Sequence, residues 1–133
     1  MTVSDNFYDN VGGETFFTQL VDHFYTGVSA DPVLRPMYAG ADLTAARRHL
    51  TLFLMQYWGG PGTYQDERGH PRLRMRHMPF VIDGNARDHW IACMKAALLQ
   101  MEIEPHLRDE LWTYLVSAAY ALTNTQDAVT PSS

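Results

Sequence analysis

Apolar residues return every three or four positions along most of the chain, and nowhere do they alternate persuasively. The clearest run begins at Glu14, where Phe16, Phe17, Leu20, Val21, Phe24, Tyr25 and Val28 draw one wide stripe, the spacing of an amphipathic helix. Asp31-Pro32 ends it, because proline cannot continue the hydrogen-bond ladder and restricts the residue before it. Ahead of this run, Phe7-Tyr8 opens a short apolar turn that stops at Val11-Gly12-Gly13, where two glycines break a helix and let the chain turn sharply. Behind it, Val33 to Tyr38 reads as a short linker of at most one helical turn, since Pro36 prevents anything longer.

A second stripe, Leu43, Ala46, Leu50, Phe53, Leu54 and Tyr57, follows Asp42, a side chain suited to capping a helix. Gly59-Gly60-Pro61-Gly62 stops it, and a loop from Tyr64 to Gly69 is expected to follow. Pro71 and Pro79 then bracket a helix of about two turns. Asp83 or Asn85 caps a long helix from about Ala86 to Met101, with Trp90, Met94, Ala97, Leu98 and Met101 on one face. Pro105 starts the last helix, with Leu107, Leu111, Tyr114 or Leu115, Ala118 and Leu122 inward. The expected fold is all-α, with roughly four substantial helices and short connectors. Residues 1–126 are expected to form one domain and residues 127–133, Asp-Ala-Val-Thr-Pro-Ser-Ser, a flexible C-terminal tail.

With 133 residues, 46% of them hydrophobic, the chain can bury a real core. A formal net charge of -5 leaves no basic excess to neutralise phosphates, which argues against nucleic acid as a partner. The one cysteine, Cys93, cannot form an internal disulfide. The N-terminus lacks the basic and apolar regions of a signal peptide, and no apolar run reaches the roughly 18 residues of a membrane span. A cytoplasmic protein without a membrane span is therefore expected.

The common catalytic signatures find little support. There is no Gly-x-Ser-x-Gly elbow. The glycines at 59, 60 and 62 follow a helix and carry no Gly-Lys-Ser/Thr ending, so they do not make a phosphate loop. One cysteine is too few for an ordinary structural zinc site, and no carboxylate pattern fits a di-iron bundle.

The unusual stretch is Arg68-Gly-His-Pro-Arg-Leu-Arg-Met-Arg-His-Met-Pro-Phe80, which packs four of ten basic residues and two of six histidines into thirteen positions. His23, His49, His89 and His106 read as structural or solvent-exposed, the usual state of a lone histidine in a helical protein. His77 differs, because Arg72, Arg74 and Arg76 precede it and Met75, Met78 and Phe80 surround it with apolar bulk. A haem wants this mixture: an imidazole for iron, aliphatic and aromatic walls for the macrocycle, and cations for the propionates. The same arginines equally suit a solvated basic face or a docking patch for an acidic partner. Tyr25, Tyr38 and Trp90 are bulky and each carries one polar handle that needs a partner when buried. If they converge, they make a polar spot in an apolar pocket, suited to a diatomic ligand.

These residues carry a family resemblance. Phe7-Tyr8-Asp9 with Val11-Gly12-Gly13, Phe24-Tyr25, Leu34-Arg35-Pro36-Met37-Tyr38, Gln56-Tyr57-Trp58-Gly59-Gly60-Pro61, and Arg68 through His77 with Pro79-Phe80, followed by Trp90, resemble the truncated haemoglobins of group II, an actinobacterial and wider bacterial type. The resemblance runs from about Phe7 to Asn124 and implies a 2-on-2 helical sandwich around haem b. On that reading His77 is the proximal iron ligand and Tyr25, Tyr38 and Trp90 form the distal polar cluster. Ala46 stands where many globins carry a distal histidine, and Leu50 is a pocket wall. Phe53, Leu54, Leu73, Phe80 and Met94 line the macrocycle, while Arg76 and Arg72 meet the propionates. Tyr38 departs from members with phenylalanine there and adds a second phenol.

The function implied is binding of dioxygen, carbon monoxide, nitric oxide or other small ligands, with tight oxygen retention because Ala46 donates nothing and the polar trio must do so. Nitric oxide dioxygenation or peroxidase-like activity would need a separate reductase, since the chain has no flavin or pyridine-nucleotide motif. A homo-oligomer stays open, because no surface stripe separates from the core stripes. The rival from another class is a helical interaction module without haem, in which Arg68 to Arg76 dock an acidic partner.

Overall fold

The computed structural model describes residues 6–38, 42–69 and 82–123. In chain order they form α1 (Phe7–Val11), α2 (Gly13–Ala30), a 3-10 turn (Arg35–Tyr38), α3 (Leu43–Tyr57), α4 (Thr63–Arg68), α5 (Gly84–Leu99) and α6 (Pro105–Leu122), with no strand among the described residues. The two-turn helix expected between Pro71 and Pro79, and the tail expected at 127–133, lie outside the described residues.

All seven residues of the first stripe are buried in α2, and Phe17, Leu20, Val21 and Phe24 are fully so. Each contributes about 1.5–3 kcal/mol relative to an exposed side chain, so α2 is the central beam. It packs against α3 on one side and α5 on the other, and α5 packs against α6. The pair α2–α3 over the pair α5–α6 is the 2-on-2 sandwich that the resemblance implies. Gly12 lets the chain turn from α1 into α2: its φ of 110° is left-handed, a region that a side chain rarely tolerates.

The predicted caps form. The Asp42 side chain accepts from the N–H groups of Thr44 and Ala45 at 3.0 and 3.2 Å. At α5 it is Asp83, not Asn85, that caps, accepting from Ala86 at 2.8 Å, so the helix starts and stops about two residues earlier than expected. The end of α3 is fixed by a close approach at Gly60. A methyl there would sit 2.8 Å from the Met55 carbonyl oxygen and 2.7 Å from the Tyr8 ring, so only glycine lets α1 lie against this corner.

Three expectations need correction. Residues 63–68 are a helix and not a loop. Tyr64 anchors it, buried with its ring edge-on to Phe53 at 5.6 Å, and Gln65 N–H donates to Gln56 Oε1 at 3.0 Å; six residues are too few for a periodic signal. In α3 the most buried side chains are Leu52, Leu54 and Met55, whereas Tyr57 is 52% exposed. In α6 the core side is Leu107, Leu111, Leu115 and Ala119, which turns Tyr114, Ala118 and Leu122 toward a cavity. None of the helices of the described residues is long and apolar enough to cross a membrane.

Candidate functional site

A cavity of about 410 Å³ opens between α2, the 3-10 turn, α3, α4, α5 and α6. That is the size range of small-molecule and cofactor sites. From α3 come Ala46, Leu50, Phe53 and Leu54, spaced so that one helix face lines the wall. This explains the split stripe of α3. Leu52 and Met55 face protein, while Ala46, Leu50 and Phe53 face the cavity and are only half-buried.

Tyr25, Tyr38 and Trp90 all line this cavity. Tyr25 comes from the buried face of α2 and Tyr38 from the end of the 3-10 turn, and their rings meet edge to face at 5.7 Å. Their phenols are close enough to shift each other's ionisation. Phe24 links the group to α5, with its ring 5.1 Å from Tyr25 and 5.4 Å from Trp90. Burial, before any other cause, pushes both phenols above their ordinary 10.0, and the neighbouring Tyr38 raises Tyr25 further. Both therefore stay protonated at neutral pH and present O–H groups. Arg47 lies on the outer side of Tyr25, its guanidinium 6.0 Å from the ring centroid.

The cavity also takes up residues that the sequence pattern did not single out. His49 and Arg68 line it, and Arg68 donates to His49 Nδ1. Arg87 lines it as well, with its guanidinium 4.2 Å over the Tyr120 ring. Tyr114 contributes a phenol that burial, and then Tyr57, pushes up to about 12. His49 had a legible signal: it lies three residues after Ala46 and one before Leu50, on the same face of α3. Met94, expected at the macrocycle, is fully buried but lies outside the cavity lining; Ala86 and Trp90 supply the wall from α5. Five further expected site residues, Arg72, Leu73, Arg76, His77 and Phe80, lie outside the described residues.

The residues present fit a haem. The macrocycle is broad and apolar with anionic carboxylates at one edge, and this cavity combines aliphatic and aromatic walls with the cations Arg68 and Arg87. Phenolic O–H groups side by side in a largely apolar wall suit a small polar ligand.

Comparison with known proteins agrees. The sequence profile of bacterial-like globins matches residues 6–124. The group 2 truncated haemoglobin YjbI of Bacillus subtilis is 41% identical over 121 residues, covering 91% of each chain. The thermostable haemoglobin of the actinobacterium Thermobifida fusca is 57% identical, with a TM-score of 0.87 over 90% of this chain and 97% of that one. A crystal structure of truncated oxygen-avid haemoglobin from Bacillus subtilis is 40% identical, with a TM-score of 0.84 over 90% of this chain and 100% of that one. The chain belongs to the bacterial-like globins and, within them, to the group 2 truncated haemoglobins.

Proposed function

We propose that this globin retains dioxygen tightly at a haem whose iron is held by His77, and that Tyr25, Tyr38 and Trp90 stabilise the ligand. Haem, when bound, supplies an iron that takes diatomic ligands and exchanges electrons. The observation that carries the reading is the pair of protonated phenols of Tyr25 and Tyr38 side by side in a largely apolar cavity. Ala46 in the same wall has no polar side-chain atom, so donation from α3 at this position is excluded. This reading assigns donation to the phenols of α2 and the 3-10 turn and to the indole of α5, which line the cavity together.

Each neutral hydrogen bond is worth about 0.5–1.5 kcal/mol. Two or three together slow ligand escape by roughly one to three orders of magnitude, since 1.4 kcal/mol is about tenfold. Leu50, Phe53 and Leu54 exclude water from the macrocycle. Arg76 and Arg72, joined by Arg68 from α4, would meet the propionates. The relative from Bacillus subtilis described as oxygen-avid supports slow release over rapid delivery.

Retained dioxygen suits redox work. Oxidation of nitric oxide follows O2 + NO + e⁻ → NO3⁻, and peroxide reduction follows H2O2 + 2e⁻ + 2H⁺ → 2H2O. Both draw electrons from outside, so a separate reductase is the partner required. The single thiol, Cys93, is buried, and burial followed by the Asp31 charge raises its pKa; it stays protonated and suits a reducing compartment such as the cytoplasm. The rival reading, an acidic partner docked on residues 68–76, is weakened because Arg68 borders the cavity and bonds His49.

The test is the absorption spectrum of the purified protein and of His77→Ala. A Soret band that shifts with carbon monoxide is expected, and it should be lost or strongly altered in His77→Ala. A protein that stays colourless after haem reconstitution would overturn the reading. A variant that binds carbon monoxide unchanged would remove His77 as the ligand.

A further inference from the structure

Outside the cavity, one carboxylate joins the three segments that carry Tyr25, Tyr38 and Trp90. Asp31 is the C-cap of α2, and its own N–H donates to Val28 O at 3.1 Å. Its Oδ1 accepts from the N–H groups of Val33 and Leu34 at 2.8 and 2.9 Å. Its carbonyl accepts from Arg35 N–H at 2.9 Å, the first residue of the 3-10 turn that ends at Tyr38. Across the gap to α5, His89 Nδ1 lies 2.8 Å from Oδ2 and 3.1 Å from Oδ1. His89 is the residue before Trp90 in α5.

We infer that Asp31 and His89 form a positioning pair that sets the donor geometry of the distal cluster. Neither touches the ligand. The carboxylate fixes where the 3-10 turn leaves α2, and hence where the Tyr38 hydroxyl meets Tyr25. Through His89 it fixes the depth at which Trp90 sits against Phe24. A hydrogen bond to a ligand weakens steeply with misalignment, so a small slip here would reach the ligand without emptying the cavity. A plain capping role is the competing account, and the chemistry separates the two. In Asp31→Asn the amide oxygen still serves Val33 and Leu34, but the negative charge is lost and an NH2 donor replaces the Oδ2 nearest His89 Nδ1, which leaves only the longer 3.1 Å approach at the Oδ1 position. The turn survives and the bridge loses its charge-assisted contact, whereas His89→Ala removes it outright. In His89→Asn the side-chain NH2 takes the place of Nδ1–H, so the bridge is kept.

The inference rests on the reading of the cavity as a haem site, and the experiment keeps the two apart. Holoprotein variants Asp31→Asn, His89→Ala, His89→Asn and Tyr38→Phe, and the double variant Asp31→Asn/Tyr38→Phe, are compared by oxygen release rate and by the infrared C–O band of the carbon monoxide adduct. Asp31→Asn and His89→Ala are expected to speed release about three- to tenfold and to move the C–O band, while His89→Asn stays within about twofold of wild type. In the Tyr38→Phe background, Asp31→Asn adds less than its effect alone, because the two act on one interaction. A loss of stability with an unmoved band and release rate, while Tyr38→Phe moves both, would overturn the positioning role. A wild-type protein with no carbon monoxide band would overturn the haem reading itself and this inference with it.

Discussion

α2 and α3 carry stripes of similar length and spacing, yet the two helices serve different ends. The seven stripe residues of α2 are at most 4% exposed, and all but Phe24 and Tyr25, which reach the cavity, pack against protein. Along α3 only the Leu52 and Met55 side is sealed, while Ala46, Leu50, Phe53 and Leu54 border the cavity. One stripe builds the scaffold and the other builds a wall for something else to complete. Spacing alone is blind to this distinction, because a wall awaiting a cofactor and a wall awaiting another helix have the same period. Substitutions in α2 should act first on folding, and substitutions on the open face of α3 should act first on haem retention.

The largest effect that tests this difference is Phe17→Ala. Phe17 is fully buried and touches Tyr8 and Phe16 rings, so its loss should cost about 3–5 kcal/mol of stability, measured by denaturant unfolding. Phe53→Ala, whose ring is half-buried against Tyr64, should cost about 1–2 kcal/mol but speed haem loss to an acceptor globin. Equal stability losses with unchanged haem transfer would erase the contrast between the helices. Next come Tyr25→Phe and Trp90→Phe, each expected to speed oxygen release by about two- to tenfold. Removing the α3 cap, Asp42→Ala, should cost about 0.5–1 kcal/mol and leave the release rate unchanged.

The smallest effects are those of pH, and their signs differ. His89 beside Asp31 holds its carboxyl below the ordinary 3.8, with the Leu34 and Val33 N–H groups adding to it. A depressed carboxyl contributes stability that is fully present above 3.8 and is lost as pH falls through the lower folded value. Asp31→Asn should therefore flatten the most acid part of the stability profile and leave its neutral part parallel to wild type. The phenols go the other way, since burial lifts Tyr25 and Tyr38 above 10.0. Oxygen release should show no step as pH passes 10.0, whereas a cluster working through a phenolate would show one.

Much of the fold was legible because its signals are local. The Phe16-to-Val28 stripe, Asp42 as a cap, the break at Gly12-Gly13 and Pro105 as a helix start all depend on residues within a few positions of each other. The α4 helix was not legible, because it is held by Tyr64 on Phe53 and by Gln65 on Gln56, contacts that no six-residue pattern can reveal. At the site, Tyr25, Tyr38 and Trp90 line one cavity, a convergence that their spacing in the sequence cannot show. Their meeting depends on a 3-10 turn tied to α2 and α5 through Asp31, a long-range fact. A lone histidine is usually structural, which hides His49 from a sequence reading, and Met94 is assigned to the macrocycle by resemblance alone. In the folded chain its face of α5 divides between the fully buried Met94 and the cavity-lining Trp90.

The most direct test of oxygen retention by the distal phenols is the oxygen dissociation rate of Tyr38→Phe against wild type, measured on haem-loaded protein at neutral pH. Phenylalanine keeps the ring that packs at 5.7 Å on Tyr25 and removes only the hydroxyl, so the change isolates the donor from the packing. Release faster by about two- to tenfold, with an unaltered Soret band in the carbon monoxide form, is the result expected. An unchanged rate in this variant and in Tyr25→Phe would contradict a ligand held by these phenols.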